Sequence, residues 1–267
     1  MDFTFGIVTG GGCDDRIRVI ISSIEAMSIP NYEILIVGPS EISGKNVKLI
    51  PFDDSVRKAW ITKKKNLITS NAQYENVVYL HDYVIFQENW YAGFTEFGND
   101  FEAVICKIKN LDGSRYRDWC LWHRNHSVLD WIVYPNRTLI PYEFNDITSH
   151  LYFSGTFWVA KKALMEAFPL NEDLTAGEAE DVEWSKRVQE YTQLKLNNRS
   201  EVSFLKNNLV VIREPGKMRL MFIKLFLGTK LIKTDAIYNR IPPNIEAYLY
   251  NKLVQIYQLL IRVAKKS

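Results

Sequence analysis

Cysteine is scarce in this sequence. Cys13, Cys106 and Cys120 are the three present in 267 residues, and their scatter matches no metal-ligand spacing. That excludes a disulfide scaffold and a zinc module, and leaves reduced, partly buried thiols in a cytosolic compartment as the simplest account. No uncharged apolar run approaches the ~18 residues a membrane span requires. The opening Met1-Asp2-Phe3-Thr4-Phe5 lacks the basic region and apolar run of a secretory leader. The sequons at Asn125, Asn136 and Asn198 are therefore read as chance matches. Both common nucleotide fingerprints are missing too, since Gly10-Gly11-Gly12 is a glycine run and nothing more. The net charge is only +2, and no nucleic-acid partner is expected.

What is present is a strand–helix–strand rhythm. Phe3 to Thr9 is a short apolar strand that runs into the three glycines. Asp14 and Asp15 then lead into Ile17, Ile20, Ile21 and Ile24 at helical spacing. Glu33 to Val37 is a near-continuous apolar strand ended by Gly38-Pro39-Ser40, and Val47 to Phe52 is a third. Asn76 to Leu80 follows as a buried strand, then a packing helix with Trp90, Phe94 and Phe97, then a strand over Phe101 to Ile108. Glycines at strand ends between crossover helices give an α/β fold with a mostly parallel sheet. Ligands in such sheets sit beyond the carboxyl ends of the strands, so the loops at Thr9 to Asp15 and Gly38 to Ser40 are candidate binding walls.

Three polar stretches stand out from this framework. Around Gly177-Glu178-Ala179-Glu180-Asp181-Val182-Glu183-Trp184, four carboxylates fall within six residues, and Val182, Trp184 and Val188 follow at packing positions. Such acids either decorate a helix start, where exposed N–H groups favour them, or present a general base to a cleft. In Trp60 to Ile68, Ile61, Lys65 and Ile68 share a helical face, which turns Lys65 and Asn66 toward apolar neighbours. A solvated basic turn and a point charge against a diphosphate both fit that pattern. Asp82 stands at the end of the Asn76 to Leu80 strand, between His81 and Tyr83, where a hard metal bound to phosphate oxygens would find it.

The order of these parts resembles the nucleotide-sugar glycosyltransferases of the GT-A fold, most closely the family-2 enzymes. The resemblance runs through Thr9, Glu33 to Val37, Lys64-Lys65-Asn66, Val78-Tyr79-Leu80-His81-Asp82, Gly155-Thr156-Phe157-Trp158-Val159-Ala160-Lys161-Lys162 and Glu180-Asp181-Val182-Glu183. It covers roughly residues 1 to 215. It implies a GT-A-type mixed sheet flanked by helices, a UDP- or GDP-sugar donor and inversion at the anomeric carbon. It further implies Mn²⁺ or Mg²⁺ at Asp82, and Asp181 as general base beside Glu180. Thr9, Gly10, Lys65, Asn66, His81 and Asp82 are the expected donor contacts, and Trp158 and Trp184 the expected acceptor contacts. Two features depart from the pattern. His81-Asp82-Tyr83 stands where two aspartates separated by one residue are usual, so Asp82 acts alone or with His81. Gly38-Pro39-Ser40 replaces an aspartate that often holds the nucleoside, which leaves the nucleotide open. A nucleotidyltransferase on a related sheet and a non-catalytic sugar-binding protein are the alternatives.

Between Asp112 and Ser149 the chain is aromatic and polar, with Tyr116, Trp119, Trp122, His123, Trp131, Tyr134, Tyr142 and Phe144. It is long for a connection. Flat rings suit sugar faces and Asp118 or Asp130 suits hydroxyls, while an aromatic mini-core fits equally well. His150 reads as structural or as a ligand to metal or diphosphate. After Gly216 the composition shifts. Residues 216 to 267 hold ten Lys or Arg against Asp235 and Glu246, a net +8, which leaves −6 for residues 1 to 215. Leu249, Leu253, Ile256, Leu260 and Val263 share one helical face there. A C-terminal helical extension is expected. It either packs on the catalytic domain or rests on an anionic membrane surface.

Overall fold

Apolar residues on both sides of a strand demand cover on both sheet faces. Phe3–Val8 (β1), Tyr32–Val37 (β2), Val47–Ile50 (β3) and Asn76–His81 (β4) form the parallel half of the sheet, and every residue of β1 is buried. We describe residues 1–122, 137–143 and 151–206 of a computed structural model. The remaining strands are Val84–Phe86 (β5), Ala103–Lys109 (β6), Cys120–Trp122 (β7), Arg137–Leu139 (β8), Leu151–Tyr152 (β9), Phe157–Lys161 (β10) and Leu194–Phe204 (β11). The helices are Asp14–Ala26 (α1), Ile61–Asn71 (α2), Trp90–Phe97 (α3), Lys162–Ala167 (α4) and Glu180–Gln189 (α5).

Eight strands join in the order β3-β2-β1-β4-β10-β6-β11-β5. All run the same way except β10 and β5, which are antiparallel to their neighbours. The mostly parallel α/β sheet expected from the sequence is therefore present. Gly6 lies directly beneath Ile68 of α2, whereas Phe3 and Phe5 pack against Trp90 of α3 at 5.2 and 5.7 Å between ring centroids. Because successive strand residues face opposite sides, α2 and α3 cover opposite faces of the sheet.

Register fixes the functional edge. Val8 pairs with both Val37 and His81, so β1, β2 and β4 end level, and Thr9, Gly38 and Asp82 emerge side by side. β10 runs the other way, with Phe157 opposite Leu80, so its beginning lies at the edge where β4 ends. His81 N–H donates to the Thr156 carbonyl there at 3.2 Å. One antiparallel strand thus brings Gly155 and Thr156 to the mouth of a parallel sheet.

The aromatic connection is partly structure of its own. β7, β8 and β9 form a small antiparallel sheet in the order β8-β7-β9, with Cys120, Leu139, Tyr152 and Val182 as a second cluster. Tyr116 and Trp119 are buried in the main core, which favours the mini-core reading for those two. Asp118 does not serve hydroxyl ligands. It is fully buried and accepts bonds from Arg115 Nε at 2.8 Å, Tyr142 Oη at 2.6 Å and the Ile108 and Trp119 amides. Asp130, His150 and the helical extension at 216 to 267 with its boundary at 215 lie outside the described residues.

Candidate active site

The donor end of the site begins where the register left Thr9 and Asp82 adjacent. Thr9 Oγ1 donates to Asp82 Oδ2 at 2.8 Å and accepts the Gly11 N–H at 3.1 Å. The β1–α1 turn therefore closes over the acid. Gly38 is required here: its φ is +131°, and a Cβ would stand 2.2 Å from the Thr9 carbonyl oxygen. That carbonyl accepts from Lys64 Nζ at 2.6 Å, and the same ammonium meets Asp54 Oδ2 at 2.7 Å. Arg16, in the first turn of α1, reaches back over the cleft. Its Nε donates to the Asp82 carbonyl at 3.3 Å and its Nη2 lies 3.7 Å from Asp82 Oδ1. Beside it opens a cleft of about 550 Å³ walled by Gly12 to Arg16 on one side and Pro39, Ser40 and Glu41 on the other. Gly10 belongs to the loop that forms this wall and is exposed.

The second end is built on Gly155. Its N–H donates to Asp181 Oδ2 at 2.8 Å, and its carbonyl accepts from Lys65 Nζ. Asp181 Oδ1 also accepts the N–H of Val182 at 2.9 Å, within the first turn of α5. A Cβ on Gly155 would lie 2.9 Å from Glu180 Oε1 and 3.4 Å from Asp181 Oδ2, so the absent side chain lets the Glu180 carboxylate approach this backbone closely. The turn before α5 is unusual: Ala179 sits at φ +61°, in the left-handed region, and no side chain caps the helix. Val182, Trp184 and Val188 are buried as their spacing implies, which fixes the helix face and aims Asp181 outward. Glu180 is turned in, and burial, followed by the like charge of Asp181, pushes its pKa up.

Lys65 is wholly buried, with its Nζ 4.2 Å from the Trp158 ring centroid. Desolvation brings its pKa down to about 8, against the opposing pull of Glu180 and Asp181. The inward direction read from the sequence is correct, but the ammonium is enclosed beside the carboxylate pair and cannot meet a diphosphate in the cleft. His81 adjoins the same group: burial first, and Lys65 second, push its imidazole well below the ordinary value, so the ring is neutral.

Three further expectations are corrected. Asn66 does not face a donor. Its amide donates to the Leu170 carbonyl and Glu172 Oε1, both at 2.9 Å, and accepts from Leu170 N–H at 3.0 Å. It pins the 170–172 loop to α2, as do Trp60, Thr62 and Lys63 with their bonds to Glu172 and Leu174. Trp158 and Trp184 are each 1% exposed and pack together at 5.7 Å, so neither can meet an acceptor. The strand and the helix that carry these rings turn both positions into the core.

Two cations were not singled out from the sequence. Arg16 is one. Arg117 is the other: its guanidinium contacts Tyr116 Oη at 3.0 Å from Nε, and its pKa is raised by Tyr116, Tyr152 and Asp181 against the opposing effect of burial. Its charge is felt by, and feels, the acid that Gly155 holds. Neither lies in a recognisable motif, and both become visible only when distant strands are brought together.

These features define a GT-A-type fold with two acidic centres at the carboxyl edge of its sheet. Among solved structures, the chain is similar to GalNAc-T7 with UDP, GalNAc and Mn²⁺, at a TM-score of 0.56 and 14% identity, covering 84% of this chain and 47% of that one. It thus spans about half the length of that protein. S. aureus TarS 1-349 matches at a TM-score of 0.49 and 12% identity, over 88% of this chain and 66% of that one. TarS 1-349 in complex with UDP-GlcNAc matches at 0.48 and 13%, over 88% and 68%. No protein-family model matches the sequence, and no curated protein matches it significantly.

The Mn²⁺ in the GalNAc-T7 structure raises the question of whether this chain's residues fit such an ion. Divalent cations of this kind need several oxygen ligands. Asp82 offers one carboxylate, already engaged by Thr9 and overhung by the Arg16 guanidinium, and no group of three His, Cys, Asp or Glu suited to a metal occurs among the described residues. The described residues thus offer one engaged carboxylate under a guanidinium, which does not make a protein-held site for a divalent ion at Asp82.

Proposed function

We propose that this chain is a glycosyltransferase that moves a sugar from a nucleotide-sugar donor to a hydroxyl of a glycan or lipid-linked glycan. The observation that carries this reading is the position of Asp181: a half-buried carboxylate oriented by the N–H of Gly155, which stands two residues before β10 at the edge where β4 ends and Asp82 follows. The bound UDP of the GalNAc-T7 structure, on the same fold, supports a nucleotide sugar as the donor class.

Asp181 takes the proton of the acceptor hydroxyl as its oxygen forms a bond to the anomeric carbon. The carbon–oxygen bond to the phosphate breaks on the opposite face, and its electron pair leaves on the nucleoside diphosphate, inverting the centre. Glu180 stays behind the base, and Lys65 steadies the pair. The donor diphosphate lies at the strand ends beside Thr9, Gly10 and Asp82, next to the Arg16 side chain. Residues 1 to 215 form the catalytic unit. Residues 216 to 267, with their net +8, serve as a peripheral contact with anionic lipid on the cytoplasmic membrane face.

Incubation with a panel of sugar nucleotides and candidate acceptors tests the reaction. Release of free nucleoside diphosphate with inverted product is expected; release of pyrophosphate, or no turnover with any pair, overturns it. Cosedimentation with anionic vesicles tests the tail. Binding weakened but not abolished by salt is expected, and a protein that stays in the supernatant at low salt is no membrane binder.

A further inference from the structure

We propose that Arg16 takes the place of a divalent cation at Asp82, so that this chain binds a nucleoside diphosphate without metal. The inference rests on the donor reading above and names the group that would meet the diphosphate.

The observations lie on one small surface. Asp82 Oδ2 accepts the Thr9 hydroxyl at 2.8 Å, while the other oxygen, Oδ1, lies 3.7 Å from Arg16 Nη2. The Asp82 carbonyl holds Arg16 Nε at 3.3 Å, and Cys13 Sγ accepts from Nη2. The guanidinium is thus tethered by both the main chain and the side chain of the one acid at the end of β4. Asp14 of the same helix is engaged elsewhere, by Ser40 Oγ at 2.8 Å and Glu41 N–H at 3.0 Å.

A cation bound at Asp82 Oδ1 would stand against this fixed positive charge, and like charges at such range in a half-enclosed cleft repel strongly. The flanking His81 and Tyr83 rings lie against each other, 5.5 Å between centroids, and no group of three His, Cys, Asp or Glu suited to a metal occurs among the described residues. A guanidinium is suited to the role the ion would otherwise fill. It is always charged, and its planar fork matches two phosphate oxygens at once. The side chain is 43% exposed and borders the cleft at Gly12 and Ser40, so it can turn toward a diphosphate without unfolding anything. Asp82 then acts as the tether that keeps Arg16 at the mouth, in place of a metal ligand.

Calorimetric titration of the full-length chain with UDP, GDP, ADP and CDP, in chelator and then in excess Mn²⁺, tests this directly. The wild type should bind one of them in chelator, with affinity changed less than about twofold by Mn²⁺. Arg16→Ala should lose about tenfold or more of that metal-free affinity, and Arg16→Lys should recover part of it. The matching nucleoside without phosphates should bind all three forms alike, which separates a lost phosphate contact from a damaged fold. Binding that appears only with Mn²⁺, or metal-free binding unchanged in Arg16→Ala, overturns the role of Arg16 while leaving the donor reading in place. Failure of every diphosphate to bind any form, with or without Mn²⁺, overturns both.

Discussion

Gly155 N–H and Asp181 Oδ2 lie 2.8 Å apart, although 26 residues separate them in the chain. The bond joins the residues just before an antiparallel strand to the first turn of a helix, and together with the Val182 N–H on Oδ1 it fixes the orientation of the Asp181 carboxylate. Loss of the carboxylate should therefore be a chemical loss. Asp181→Asn keeps the shape and a bond to Gly155 but cannot take a proton, and should lower kcat by ~10²–10⁴-fold with nucleoside diphosphate affinity nearly unchanged. Steady-state kinetics beside calorimetric binding decides it. Should Glu180→Gln carry the large loss and Asp181→Asn little, the base is Glu180.

Gly155→Ala makes a sharper test of the same contact. The new methyl would stand 2.9 Å from Glu180 Oε1 and 3.4 Å from Asp181 Oδ2, so the Glu180 carboxylate, directly behind the base, must move. A shift approaching 1 Å at reacting groups costs on the order of 10²-fold in rate. We expect that loss in kcat with little change in the binding of the diphosphate. An unaltered kcat would mean that the carboxylates need no such support.

Lys65 supplies the pH dependence. Its pKa is brought down by burial to about 8, so it loses its proton just above neutrality and its charge-assisted bond to the Gly155 carbonyl weakens. Turnover should fall as pH rises through about 8, and the residual activity of Lys65→Met should lack that limb. Stability moves the other way. Between about 8 and the ordinary lysine value of 10.5 the unfolded chain binds the proton that the native chain has released, so native stability rises with pH across that window. Below it, the cost of enclosing the charge is fully present. Denaturant unfolding of wild type and Lys65→Met at pH 7 and pH 10.5 should show the difference shifting toward the wild type by on the order of 3 kcal/mol. A difference flat in pH would mean that the ammonium is hydrated.

Ala179 holds a left-handed conformation immediately before the acids, at φ +61°. Glycine accepts that geometry without the Cβ clash, and Ala179→Gly should stabilise the chain by about 0.5–1 kcal/mol in denaturant unfolding. Lower stability in the variant would show that the turn relaxes in solution.

The sequence disclosed elements whose signal is local. β1, β2 and β4 are unbroken apolar runs, and α5 shows its buried face at Val182, Trp184 and Val188. Lys65 was legible for the same reason, since it shares a helical stripe with Ile68. What could not be read depends on partners far along the chain. Arg16 gains its meaning from Asp82, 66 residues away, and Arg117 from Asp181. Trp158 and Trp184 fill the core because β10 is inserted beside β4 against the prevailing direction, a topological fact that no local pattern encodes. Asn66, a donor contact by resemblance, finds its partners in the 170–172 loop, more than a hundred residues along the chain.

Lys64 and Lys65 are neighbours on α2, yet one ammonium holds the Thr9 carbonyl and the other the Gly155 carbonyl. One step along a helix, about 1.5 Å of rise and about 100° of turn, therefore sets the spacing between the two ends of the site. A helix is a stiff gauge, and this one is further clamped by the loop bound to Trp60, Thr62 and Asn66. The span is built in once for any molecule that lies across both ends. Adaptation to a longer or shorter partner cannot come from adjusting one lysine, because moving either carries the other with it. Diversification of this scaffold is confined to the walls around the gauge, the β1–α1 turn and the segment after β2, while α2 itself keeps the scale.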